Sequence, residues 1–296
     1  MDALYSINRR RFLLVAASLP LSIGSWATES IIDRVFISRC AALEKQLNGR
    51  LGVFALDTGN DTQLGYRATE RFAVCSTFKM MLAAAVLKFS ERKPGVLQQR
   101  LRYSKSELVS YSPVTERYID EGMTVAELCA AAVQYSDNTA ANLLIKLLGG
   151  PSAVTEFARS IGDQAFRLDR WETELNTAIP GDPRDTSTPA AMGRSLQRLV
   201  LGNALEPAQA AQLQAWLRGN TTGDERIRAG VPSGWQVGDK TGTGDYASAS
   251  DIGVVWPPQR APIVVAIYTT QPEKDAKPRN DIIAEAARVV ADWVLG

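Results

Sequence analysis

An α+β fold in two parts is predicted by three observations. Apolar, β-compatible segments stand near both ends of the chain, alanine- and leucine-rich helical text fills its middle, and one long connection carries prolines and glycine. Strands at both ends imply that the termini share one discontinuous α/β domain, residues 28–66 with 218–296. Residues 67–217 then form an all-helical domain, and the cleft between the two is the natural place for a site.

The elements follow in order. From Ile31 to Leu47 apolar residues recur at helical spacing, and Asn48-Gly49 ends the run as a C-cap does. Leu51 to Asp57 reads as a strand, Thr58-Gly59-Asn60-Asp61 as a turn, and Leu64-Gly65-Tyr66 as the start of a second arm. Ser76–Phe89, Thr124–Gln134, Thr139–Leu148, Pro151–Ile161 and Pro189–Leu201 read as helices, several opening on Ser, Thr or Pro. The connection at about 167–185 resists regular structure, yet its Trp171 and Leu175 anchors predict an ordered Ω-type loop. Three strands follow, Trp235–Lys240, Ser250–Trp256 and Pro262–Thr269, and a last amphipathic helix runs from about Asn280 to Leu295.

Charge is nearly balanced, with 33 Lys and Arg against 32 Asp and Glu, so nothing favours a nucleic-acid partner. Asn8-Arg9-Arg10-Arg11 leads into an apolar run ending at Leu21, too short to span a bilayer, and Ser25-Trp26-Ala27 suits a signal peptidase. Residues 1–27 are read as an export signal, either of the twin-arginine type through Arg9-Arg10 or of the general secretory type. Cys40, Cys75 and Cys129 have no metal-like spacing and are read as buried structural residues.

Three polar strings carry the chemistry: Ser76-Thr77-Phe78-Lys79, Ser136-Asp137-Asn138 and Lys240-Thr241-Gly242. The chain has no histidine, which excludes a Ser-His-Asp triad and histidine metal sites, so a serine here must lose its proton to lysine or a carboxylate. Ser-x-x-Lys alone is weak, for about one chance match is expected at this length and Ser90-Glu91-Arg92-Lys93 supplies a second copy. Ser90 sits among charges where a helix ends, whereas Ser76 opens a strong helix on which Lys79 lies one turn away on the same face. A plain helix cap remains the other reading of Ser76. The second and third strings shift the balance, because three consecutive polar residues exceed what one N-cap needs and a glycine after a strand permits close approach of a ligand.

In this order the three strings, with Glu172 inside Arg170-Trp171-Glu172-Thr173-Glu174-Leu175-Asn176, resemble the class A serine β-lactamases over essentially the whole mature chain. The resemblance implies an antiparallel sheet flanked by helices plus an all-helical lobe. It implies hydrolysis of the β-lactam amide of penicillins and cephalosporins, and hence resistance, through a Ser76 acyl-enzyme. It further implies Lys79 or Glu172 as the base for acylation, Ser136 as proton donor to the leaving nitrogen, and Glu172 with Asn176 as holders of the deacylating water. Asn138 is implied to bind the substrate's amide side chain, Lys240, Thr241 and Gly242 to form the carboxylate strand, and Thr243 to supply an oxyanion N–H and a hydroxyl. Tyr111 matches the aromatic wall of the pocket mouth, with ordinary loop packing as its other reading. Arg226 matches an alternative carboxylate-binding arginine, where Ala249 fills the commoner position, or is a surface arginine.

On spacing alone Glu174 rivals Glu172. Arg170 and Asp185 match the pair that closes the Ω-loop, a solvated surface pair being the alternative. Thr173 stands where many relatives have proline, and Gly244 where carbapenem-hydrolysing relatives often carry the cysteine that pairs with the one before the nucleophile. No cofactor or metal is implied, no nucleic acid, and no stable membrane anchor. A monomer in the periplasm or secreted is expected. The competing readings are a β-lactam-binding sensor and a D,D-peptidase acylated without efficient turnover; Glu172 and Asn176 argue against both.

Overall fold

The computed structural model describes residues 31–296, so the export-leader reading of residues 1–27 lies outside the described residues. Helix α1, Ile31–Leu47, buries Phe36, Cys40, Leu43 and Leu47, a single stripe at spacings of four and three. Strands β1 (Arg50–Asp57) and β2 (Thr62–Tyr66) form a hairpin. Strands β3 (Gln236–Thr243), β4 (Ala249–Trp256) and β5 (Ile263–Thr270) come from the other end of the chain. All join one antiparallel sheet in the order β2-β1-β5-β4-β3, because β1 pairs with β5 from Arg50↔Thr270 to Asp57↔Ile263. The α+β class and the antiparallel sheet flanked by helices are thus as expected.

The central strands are apolar on both faces because both faces are covered. Val53, Ala55, Val265 and Ile267 pack against α1 and the last helix, α8 (Asn280–Leu295), through Ile283, Ala287 and Val290. On the other face Phe54, Leu56, Val264, Ala266 and Tyr268 share a core with the helical part. That part comprises α2 (Phe78–Arg92), α3 (Val125–Gln134), α4 (Asn138–Leu148), α5 (Pro151–Ser160), α6 (Pro189–Val200) and α7 (Pro207–Arg218). Helix α2 is its axis: every residue from Phe78 to Leu87 is buried, as expected of a helix apolar all round. Helix α6 lies directly on the sheet, with Gly193 so close to Phe54 that a Cβ would sit 2.3 Å from its ring.

Start signals explain the boundaries. Thr124 and Glu127 form a capping box for α3. Left-handed Gly149 ends α4, Pro151 occupies the first turn of α5, and Thr188 caps α6 ahead of Pro189. Three details differ from the sequence reading. The helix after Cys75 begins at Phe78, because Cys75–Thr77 is a 3-10 turn. Strand β3 runs on to Thr243, so Lys240-Thr241-Gly242 lies within a strand rather than after one. Helix α7 was not expected; its signals are Pro207 in the first turn and the buried stripe Ala210, Leu213, Trp216, Leu217. Among the described residues no helix is long and apolar enough to cross a membrane.

Candidate active site

Ser76 sits on the 3-10 turn between the sheet and α2. The turn is fixed from three sides: Val74 N–H donates to Asp185 O at 2.9 Å, Thr77 Oγ1 donates to Val74 O at 2.6 Å, and Thr77 Oγ1 meets the Tyr268 hydroxyl at 3.1 Å. The N-cap positions are Val74 for the turn and Thr77 for α2, and the Ser76 hydroxyl faces Lys79 and Glu172 instead, so the plain-cap reading does not describe it. Gly242 lets edge strand β3 reach this turn, since a Cβ there would lie 2.9 Å from Val74 O and 2.6 Å from Ser250 Oγ. Ser90, the second copy of the motif, donates to Leu87 O at the end of α2 and has no part in the cleft.

Lys79 points back along the helix to the serine and is fully buried. Its Nζ lies 2.9 Å from Ser76 Oγ, 2.8 Å from Ser136 O, 2.5 Å from Asn138 Oδ1 and 2.9 Å from Glu172 Oε1. Burial pulls its pKa below the usual lysine value, and the Glu172 carboxylate only partly offsets this. The second string divides its labour. Ser136, at φ 59°, turns its carbonyl to Lys79 and its hydroxyl to Lys240 Nζ at 3.1 Å. Asp137 is the N-cap of α4 and also accepts from Val114 N, Thr115 N and Thr115 Oγ1. Asn138 donates its amide to Ser110 O at 2.9 Å, while its backbone N–H holds Tyr111 O at 3.0 Å. Tyr111 is thereby presented at the mouth, 61% exposed.

The loop decides between the two glutamates. Glu174 is exposed, whereas Glu172 is buried with Oε1 3.5 Å from Ser76 Oγ and Oε2 accepting from Asn176 Nδ2 at 2.5 Å. The Glu172–Thr173 peptide bond is cis. Asp185, fully buried, closes the loop by accepting from Asp169 N, Arg170 N and Arg170 Nε, the last at 2.6 Å. This is no solvated surface pair. Asn142, which the sequence reading passed over, brackets Glu172 from α4: its Nδ2 donates to Glu172 O and its Oδ1 accepts from Glu172 N, both at 2.9 Å. The available signal was a second asparagine four residues after Asn138 on an otherwise apolar helix. Asn142→Ala should lower turnover about tenfold while leaving the acylation rate nearly unchanged, the loss of two net hydrogen bonds; stopped-flow separation of the two steps checks this.

Across the cleft, Lys240 is buried with its amine donating to Thr241 O at 2.8 Å. Burial, reinforced by the nearby Lys79 cation, sets its pKa well below the usual lysine value. Thr241 Oγ1 meets Thr222 Oγ1 at 2.6 Å. Thr222 was also missed, because a threonine in a polar loop gives no pattern. Arg226 reaches the same wall from behind: Nη2 donates to Thr243 Oγ1 at 2.8 Å, and its other N–H groups hold Gly242 O, Ser250 O and Asn280 Oδ1. It is buried, not a surface residue. Gly244 faces Cys75, where a Cβ would lie 2.7 Å from Sγ, and all three cysteines are free and buried.

Ser76, Tyr111, Ser136, Asn138, Asn176, Thr222, Arg226, Thr241, Gly242 and Thr243 line one cleft of about 370 Å³. Lys79, Glu172 and Lys240 lie buried in its wall. A larger groove of about 680 Å³ behind the Ω-loop contains Arg50, Arg71 and Arg184. Those arginines are engaged by Glu70, by Ala165 O with Thr186 Oγ1, and by Asp182, whereas the smaller cleft is the one that gathers the three polar strings.

A serine on the turn that opens a helix, a lysine in that helix's first turn, a buried carboxylate on a closed loop and a cationic edge strand on this fold define a class A serine enzyme. The profile of the β-lactamase enzyme family matches residues 35–294. "Beta-lactamase OXY-1" of Klebsiella oxytoca is 55% identical over 96% of this chain and 97% of its own length. "Beta-lactamase Toho-1" of Escherichia coli is 55% identical over 95% and 97%. "Carbapenem-hydrolyzing beta-lactamase KPC" of Klebsiella oxytoca is 55% identical over 97% of both. The solved structure of a β-lactamase from Desulfarculus baarsii superposes with a TM-score of 0.88 at 60% identity, covering 89% of this chain and 98% of that one. The chain belongs to the β-lactamase enzyme family.

Proposed function

We propose that this enzyme hydrolyses the β-lactam amide of penicillins and cephalosporins through a Ser76 acyl-enzyme, and so gives resistance to them. The observation that carries this reading is the pairing of Glu172 and Asn176. Asn176 gives its amide N–H to Glu172 Oε2, and its own Oδ1 is buried without a protein partner. A carboxylate base and an unmet acceptor beside the serine suit a water held for attack.

Acylation begins with loss of the Ser76 proton to Lys79, the nearest group at 2.9 Å, whose burial favours the neutral amine. The lysine's own extra proton has Glu172 Oε1 at 2.9 Å as its sink. Ser76 Oγ bonds to the β-lactam carbonyl carbon, and the N–H groups of Ser76 and Thr243 take the oxyanion. The C–N bond breaks as Ser136 protonates the nitrogen and recovers a proton from Lys79. At the acyl-enzyme Glu172 returns its proton to Lys79 across the same 2.9 Å contact. The freed carboxylate then removes a proton from water, hydroxide adds to the ester carbon, and Ser76 leaves with the proton that Glu172 gives back. Lys240, Thr241, Gly242, Thr243 and Arg226 receive the substrate's carboxylate, Asn138 its amide side chain, and Tyr111 walls the mouth.

The mature enzyme is read as a monomer acting in the periplasm or outside the cell after removal of the leader. A chromogenic cephalosporin tests the function: many equivalents of product per enzyme are expected. One equivalent followed by silence would instead establish the sensor or D,D-peptidase reading.

A further inference from the structure

Behind the carboxylate wall, strands β3 and β4 carry two buried acids. Thr241 pairs with Asp251 and Asp239 with Gly253, so Asp239 and Asp251 are diagonal neighbours on one face of the sheet. Both are fully buried. Asp239 is the better served: Oδ1 accepts from Arg228 Nε at 2.8 Å and Oδ2 from Asn220 Nδ2 at 2.5 Å. Asp251 Oδ2 accepts from Ile227 N–H at 3.0 Å, but Asp251 Oδ1 meets no donor, and the acid beside it on this face is Asp239. Two bare carboxylates buried as diagonal neighbours repel, and one proton on the pair removes the repulsion and gives the orphan oxygen a hydrogen to share.

We propose that Asp251 is the protonated partner of ionised Asp239, and that the pair is a positioning device which clamps residues 220–228 to the strand carrying Lys240 and Thr241. The three anchor points, Asn220, Ile227 N–H and Arg228, bracket the two residues of this segment that touch the wall, Thr222 and Arg226. The segment is packed so tightly that a Cβ on Gly223 would lie 1.9 Å from Asp239 Oδ2. Direction also propagates along this chain. Asp239 takes the Asn220 amide N–H, so Asn220 Oδ1 accepts from Thr222 Oγ1 at 2.8 Å, and Thr222 in turn accepts from Thr241. The charged groups facing the pair are Arg226, Arg228 and Lys240; the nearby Cys75 thiol and Tyr268 phenol are both pushed up by burial and stay neutral. Burial first, and the neighbouring acid second, raise Asp251 well above the ordinary aspartate value.

The kinetic part of the test rests on reading this wall as the carboxylate site, whereas the spectroscopic part does not. Infrared difference spectroscopy of the wild-type enzyme at neutral pH should show a protonated-carboxyl C=O stretch that disappears in Asp251→Asn. A spectrum without that band, or a band surviving the substitution, overturns the shared proton whether or not β-lactams are hydrolysed. Because Asn can donate to Asp239 and accept from Ile227, Asp251→Asn should keep KM for a cephalosporin within about threefold, while Asp251→Leu should raise it about tenfold with kcat little changed. Equal KM for wild type and Asp251→Leu, or an equal rise in both variants, overturns the positioning role. If Asp251→Leu does not fold, the infrared result and the Asp251→Asn kinetics decide. The folded pair holds a proton that the unfolded chain releases, so wild-type stability should fall as pH rises above the ordinary aspartate value, and Asp251→Asn should flatten that slope.

Discussion

Glu172→Ala should release a full burst of chromophore from a chromogenic cephalosporin and then stall, with steady-state turnover reduced at least about a thousandfold. The burst survives because Lys79 stands closer to Ser76 Oγ than Glu172 does, at 2.9 Å against a long 3.5 Å contact. The stall follows because the substitution removes the carboxylate that Asn176 orients, and exposed Glu174 has no route to replace it. Pre-steady-state burst amplitude and the linear phase after it are the quantities to read. Turnover at a wild-type rate would remove Glu172 from deacylation; loss of the burst itself would move its main role to acylation.

The second large effect belongs to the nucleophile. Ser76→Ala should lower kcat/KM by about a millionfold and abolish any covalent adduct, since removing a nucleophile leaves only binding and oxyanion stabilisation. Ser90→Ala should leave both unchanged, because its hydroxyl serves only the carbonyl of Leu87. The pair of variants separates the two Ser-x-x-Lys copies by function, as their surroundings separate them by structure. An adduct retained in Ser76→Ala would place the nucleophile elsewhere.

Much of this arrangement was legible in the sequence because it is local. Ser76 and Lys79 are one helical turn apart, so their contact needs only the helix. The sheet was legible through its ends: apolar segments near both termini had to find one another, and β1 does pair with β5. What could not be read depends on tertiary contacts. Glu172 and Glu174 are both acidic loop residues, and only the packing of the loop on α4 buries one and exposes the other. Arg226 and Asp185 read equally well as surface charges until the folded chain buries them. Asn142 and Thr222 act through hydrogen bonds to residues 30 and 19 positions away, which no periodicity records. Helix α7 went unseen because alanine and glutamine dilute its apolar stripe.

The charge pattern of the cleft explains why a chain without histidine can run this chemistry. Two lysines are buried close together, and burial favours the neutral amine in both. In the proposed mechanism Lys79 accepts and returns a proton, and Lys240 donates at 3.1 Å to the Ser136 hydroxyl through which that mechanism routes it. The segment bearing Thr222 and Arg226 touches Thr241 and Thr243 from a second part of the chain, so the geometry of the wall proposed to receive the carboxylate depends on what holds that segment down.

The central claim, hydrolysis through a transient ester on Ser76, is tested most directly by rapid-quench mass spectrometry of the wild-type enzyme during turnover of a penicillin. The expected result is a one-to-one adduct, mapped to the peptide containing Ser76, that forms and decays at rates which together account for kcat. A persistent stoichiometric adduct, or product released with no adduct at Ser76 on the catalytic timescale, would contradict it.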